Sequence, residues 1–210
     1  MSKEKTTQKK QSSSPSSRAW LIGGIVVAIV AAIAIGAYIW KTSSGTNSGP
    51  TTNGPVENLS LPDHGDKSLL QGVESFSSEG RDHVSSASEL NYKTDLPTSG
   101  AHLPSPAPAG FYSEKIQPGL LVHSLEHGGV VIYYDPARLS SDAEKSVRAF
   151  VKAHFETWAS VLAVPSPVHY DAPFILTAWT KMLKLENYDA HVVQAFLAEY
   201  LGRGPENPVR

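Results

Sequence analysis

The sequence contains no cysteine and only two methionines, Met1 and Met182. Disulfides, thiolate metal sites and a cysteine nucleophile are thereby excluded, as is a methionine-rich copper relay, and an ordinary apolar core must hold the fold. Positive charge is scarce outside the N-terminus. There Lys3, Lys5, Lys9, Lys10 and Arg18 stand against Glu4, and this excess of four on a chain of net −2 leaves −6 on the remainder. That balance offers nucleic acid no basic footprint. No internal repeat is visible.

From Ala19 to Trp40 the chain has no charged residue. At about 1.5 Å of rise per residue, a helix of this length spans roughly 33 Å, enough for a bilayer core. Trp20, Tyr38 and Trp40 fall where amphipathic rings settle at the interfaces, and the Lys/Arg excess precedes the run, so the positive-inside rule places the N-terminus in the cytoplasm. A cleaved signal peptide would have a shorter apolar stretch and a small-x-small exit. Tyr38-Ile39-Trp40-Lys41 is not such an exit. The expectation is a single-pass signal-anchor in the cell membrane with the C-terminal part extracytoplasmic. Gly24, Ala28, Ala32 and Gly36 recur every fourth residue and would let a second helix approach closely, the basis for a homodimer through this segment, although such residues are common in any membrane helix. Residues 1–18 read as a disordered basic tail, 41–70 as a flexible linker, and 71–210 as one domain of ordinary size.

Within that domain, residues up to about Gln117 are rich in Pro, Gly and Ser and read as ordered loop. Leu120-Leu121-Val122 and Val130-Val131-Ile132-Tyr133-Tyr134 read as strands, the second ended by Asp135-Pro136. Ser141-x-x-Glu144 is a capping box, and Val147, Phe150, Val151 and Trp158 continue it as a helical stripe over about 142–160. Val161–Val164 and Phe174–Trp179 are further strand candidates, pictured as a hairpin with Val168-His169-Tyr170 near its tip. Asp189 caps a last helix carrying Val193, Phe196, Leu197, Tyr200 and Leu201, with Gly202 at its end. The fold class is α+β: a transmembrane helix, then a small sheet with two helices packed on a face and a loop-rich N-terminal segment. A parallel crossover through the first of those helices is expected.

His123-Ser124-Leu125-Glu126-His127 is the sharpest constellation. On a helix the two imidazoles share a face and can hold one metal ion, with Glu126 as a possible base, the pattern of the inverted zinc peptidases. Those enzymes need a long helix, and Gly128-Gly129 follows at once, which argues against that class. On a continuous strand the histidines would lie about 13 Å apart, so joint ligation requires a turn here. Pro97-Thr98-Ser99-Gly100-Ala101-His102 is a tight-turn sequence that would hold His102 stiffly. His83 lies in the same loop-rich part. A serine hydrolase built on Ser99 or Ser124 lacks the G-x-S-x-G elbow. His64, His154, His169 and His191 read as structural or surface histidines, and Trp158 and Trp179 as core.

His83-Val84, Tyr92, Pro97-Thr98-Ser99-Gly100-x-His102, Gly110-x-Tyr112, Leu121 through Gly128, Tyr133, Thr177-Ala178-Trp179 and Gly204-Pro205-Glu206 together resemble the domain-of-unknown-function family 3105. The chain departs from it at Leu96, where the family usually has a second proline. The resemblance implies one N-terminal anchor and one shared site for His83, His102, His123, Glu126 and His127, and implies no activity. Imidazoles with a carboxylate favour zinc or copper over calcium or magnesium. Two functions of different class follow: a membrane-anchored metal-binding protein, and an envelope interaction or assembly module whose histidines form a structural hydrogen-bond network.

Overall fold

A computed structural model describes the chain at Val56 and over residues 58–210. Its strands are β1 (Glu74–Ser75), β2 (Gly110–Phe111), β3 (Val130–Tyr134), β4 (Phe155–Glu156), β5 (Ala159–Pro165), β6 (Phe174–Ala178) and β7 (Lys181–Leu185). Its helices are α1 (Pro118–Glu126), α2 (Ser141–Ala153) and α3 (Ala190–Tyr200), with a 3-10 turn at Ala87–Glu89. The sheet runs β1-β7-β6-β3-β5-β2, with β4 attached to β5. It is mixed: β3 and β2 pair with β5 in parallel, whereas β6 on β3, β7 on β6 and β1 on β7 are antiparallel.

Every residue of β3 is buried, because both faces of the sheet are covered. Successive side chains of a strand point to opposite faces. Val130, Ile132 and Tyr134 enter a core shared with Val147, Phe150 and Val151 of α2 and Val193, Phe196 and Leu197 of α3. Val131 and Tyr133 enter a second core with Leu121 and Leu125 of α1, Leu96 and Ala107. Each fully buried Leu or Phe stabilises the fold by about 1.5–3 kcal/mol. The chain therefore needs α1 and the Pro-rich segment as the second cover, not as ornament on a one-sided sheet.

The expected architecture is corrected accordingly. Among the described residues, seven strands and three helices replace a small sheet with two helices. Among the described residues no helix is long and apolar enough to cross a membrane, so the transmembrane part of the expectation has no support here; residues 19–40, to which it was assigned, lie outside the described residues, as does the basic tail. Residues 58–70, within the stretch read as linker, lie against α3: Gln194 Nε2 donates to the carbonyls of Asn58 and Ser60, and Leu70 reaches the first core.

Local chemistry explains the element boundaries. Leu120-Leu121-Val122 is helical, since Pro118 stands at the first helical turn with the Gln117 side chain accepting from Leu120 N, a place where a missing N–H costs nothing. In α2 the cap is Ser140, one residue before the expected Ser141. This helix stops at Ala153, and the chain doubles back at Thr157-Trp158, which removes Trp158 from the helical stripe. β5 and β6 do not form a hairpin with each other; both flank β3. β6 instead turns directly into β7, with Thr180 at φ 60 in the turn. The parallel β3-α2-β5 connection is as expected, and Asp189 caps α3 through His191 N and Val192 N.

Candidate metal centre

Helix α1 presents the H-x-x-E-H sequence from its last turn, with His127 as the residue that closes it. Gly129 N donates to Ser124 O, and Gly128 N to Leu125 O, the paired bonds that end a helix through a left-handed residue. Gly128 supplies that residue at φ +84. The turn that joint ligation requires is thus present, and His123 and His127 sit one above the other with Nε2 atoms 2.9 Å apart.

His102 arrives from a different quarter. Gly100, at φ +121, turns the chain, His102 N donates to Asp82 O, and Val84 N to His102 O, which sets the His102 strand parallel to His83. Tyr92 braces this turn by donating its hydroxyl to Ala101 O at 2.6 Å. The ring centroids of His83, His102 and His123 then lie 4.6–4.9 Å from one another.

Hydrogen bonding fixes which ring nitrogens are available. His102 Nδ1 is 2.9 Å from Gly100 O, and His123 Nδ1 is 2.7 Å from Leu103 O. A carbonyl only accepts, so both Nδ1 atoms carry the proton and both Nε2 atoms of the neutral rings present a lone pair. Burial holds the His123 pKa below the usual imidazole value; its bond to Leu103 opposes this, while His127, His102 and His83 push the same way as burial. His102 is fully buried, and His123, Glu126 and His127 are nearly so.

Two overlapping donor groups result. In the inner one, His83, His102, His123 and Glu126 each bring one ligand atom, all within 4.8 Å of one another, and only His83 is exposed. In the outer one His123, His127 and Glu206 meet the same limit, with Glu206 exposed. All five residues marked in the sequence come together, but His127 falls in the outer group and Glu206 had not been singled out as a site residue. Glu206 gets there because the C-terminal segment lies backbone to backbone on the end of α1: Gly202 N donates to Gly128 O at 2.8 Å, and Glu206 N approaches Glu126 O at 3.4 Å. Its signal in the sequence was Gly204-Pro205-Glu206 following a helix end.

Further groups frame the cluster. Arg81 Nε lies 3.7 Å from Glu126 Oε1, and Arg81 also donates to Pro205 O, linking the inner carboxylate to the C-terminal segment. The Trp158 ring packs on His127 with centroids 4.1 Å apart. The two serines considered as nucleophiles are occupied: Ser124 Oγ donates to backbone carbonyls of Ala107 and Leu120, and Ser99 Oγ accepts from Glu79 N.

One relationship decides what the inner group can do. His102 Nε2 and Glu126 Oε2 are 3.0 Å apart, yet both are buried and neither has a hydrogen-bond partner. With the ring proton of neutral His102 on Nδ1, both atoms are acceptors and no proton lies between them. Two ligands about 2.0–2.1 Å from one tetrahedral ion stand about 3.3 Å apart, so these atoms are spaced as neighbours in a coordination shell. Imidazole nitrogens with a single carboxylate suit zinc or copper(II) and suit calcium and magnesium poorly.

No curated protein and no solved structure matches the chain. A family described as "Protein of unknown function (DUF3105)" matches residues 83–210, a span that begins at the first histidine of the cluster and includes Glu206. The chain belongs to that family.

Proposed function

We propose that the domain binds one transition-metal ion, zinc or copper(II), through His102, His123, Glu126 and His83. The observation that carries this reading is the buried, mutually unpaired His102 Nε2 and Glu126 Oε2. Leaving two such acceptors face to face without hydrogen bonds costs roughly 1–3 kcal/mol each, and a cation between them removes that penalty. The backbone carbonyls on Nδ1 of His102 and His123 serve as the outer hydrogen bonds that orient metal-binding imidazoles and fix their tautomer.

A second reading has its own observation. His127 Nε2 lies 2.9 Å from both His123 Nε2 and Glu206 Oε2, so the outer histidines can serve as a metal-free hydrogen-bond network stiffening the loops. Elemental analysis of the full-length chain without a polyhistidine tag separates the two. The metal reading expects about one zinc or copper per chain after incubation with that ion and dialysis, and loss of it in His102→Ala and in His123→Ala variants that keep the wild-type circular dichroism spectrum. No retained metal in the wild type would make the cluster structural.

A further inference from the structure

The inner and outer donor groups share a pattern, and the inner one has the exposed His83 in addition. Each uses His123, and each adds one buried imidazole and one carboxylate: His102 with Glu126 inside, His127 with Glu206 outside. His123 has a single free lone pair, because its Nδ1 donates to Leu103 O. One nitrogen cannot hold two ions at once. The donors are also graded in exposure, from Glu206, with 40% of its side chain exposed, through His127 at 9%, to Glu126 at 4% and His102 at 0%. Glu206 Oε2 to His127 Nε2 is 2.9 Å and His127 Nε2 to His123 Nε2 is 2.9 Å; beyond His123 come His102 Nε2 and Glu126 Oε2, 3.0 Å apart, in a group whose ligand atoms lie within 4.8 Å of one another. His127 Nδ1 is buried without a partner, so the contacts of the outer imidazole are made through Nε2 alone, to His123 and Glu206.

We infer that His123, His127 and Glu206 form a second, mutually exclusive site through which the ion enters and leaves the inner one. This rests on the metal reading above. In the passage inward His123 stays bound, the ion's bond to His127 nitrogen breaks as one to His102 nitrogen forms, and the bond to the Glu206 carboxylate breaks as one to Glu126 forms; His83 takes the place of a water. One imidazole and one carboxylate are exchanged for their equals, so the charge of the shell is unchanged and no net proton is required. An ion held this way is exchangeable cargo and not a fixed structural element. Exposed His83 is the rival mouth.

The test uses the full-length chain with Zn2+ alone, competed against a chromophoric zinc indicator for affinity and followed by stopped flow for loading and for removal by EDTA. The wild type should bind one Zn2+ per chain at saturation. Glu206→Gln should keep one Zn2+ at nearly unchanged affinity while loading and removal slow by about tenfold, the lower range for losing a supporting group. Glu126→Gln should still bind one Zn2+, more weakly, in the outer set, and the double variant should lose it. Two Zn2+ per wild-type chain, or wild-type loading rates in Glu206→Gln, would overturn the shared-site route while leaving the metal reading in place. No Zn2+ in the wild type would remove the metal reading itself.

Discussion

Gly204 lies so close to Gly128 that a side chain on it would place its Cβ 2.1 Å from the Gly128 amide nitrogen and 2.1 Å from Glu126 O. This contact, not the sequence neighbourhood, delivers Glu206 to His127. Gly204→Ala must push the C-terminal segment off α1, and overpacking of this kind costs about 1–3 kcal/mol. For a domain of this size the melting midpoint should fall by roughly 2–4 °C for each of those kcal/mol. The variant should also load zinc slowly, as is expected of Glu206→Gln. A melting midpoint equal to the wild type would show that the two backbones do not meet.

The parts of this fold legible in the sequence are those where one local signal and the packing agree. Val147, Phe150 and Val151 face the core as their spacing requires, and Asp189 caps α3 because its side chain accepts from the first free amides. Leu120-Leu121-Val122 misled because three apolar residues in a row fit a buried strand and a buried helix equally; Pro118 before them and Gly128 after them were the deciding marks. β7 was missed since Lys181-Met182-Leu183-Lys184-Leu185 has no β-branched residue, and its pairing with β6 supplies what propensity does not. In the site, the spacing of His123 and His127 was readable once a helical turn was granted. Glu206 was not, because its position depends on two glycines allowing separate backbones to touch.

His154 supplies a pH-dependent term away from the cluster. It closes α2, its Nε2 is buried without a partner, and burial lowers its pKa below 6.5 against a raising bond to Leu59. The folded state therefore holds this ring neutral where the unfolded chain would protonate it. As pH falls below about 6.5 the unfolded state takes up a proton that the fold does not, and stability is lost until the lower folded pKa is reached. The stability difference between wild type and His154→Gln, measured by urea unfolding at pH 7.5 and again at pH 5.5 with metal removed, should move in favour of the variant at the lower pH. A difference independent of pH would mean that His154 titrates alike in both states.

Tyr92 connects the turn chemistry to the metal reading. Its ring bounds the space above Gly100, where a Cβ would meet Tyr92 Cε1 at 3.1 Å, and its hydroxyl holds Ala101 O. Burial, with Glu79 adding to it, pushes the hydroxyl pKa up to about 12, so it remains a donor throughout the neutral range. Tyr92→Phe removes that one bond and should cost about 1 kcal/mol of stability. Because the same turn carries Gly100 O, the acceptor that keeps His102 Nε2 free, the affinity for Zn2+ should fall by about tenfold while the stoichiometry stays at one. Tyr92→Phe that melts earlier but binds Zn2+ as tightly as the wild type would confine Tyr92 to holding the loop, and His102 would then owe its orientation to its ring bond to Gly100 O and to the Asp82 and Val84 backbone bonds, without help from Tyr92.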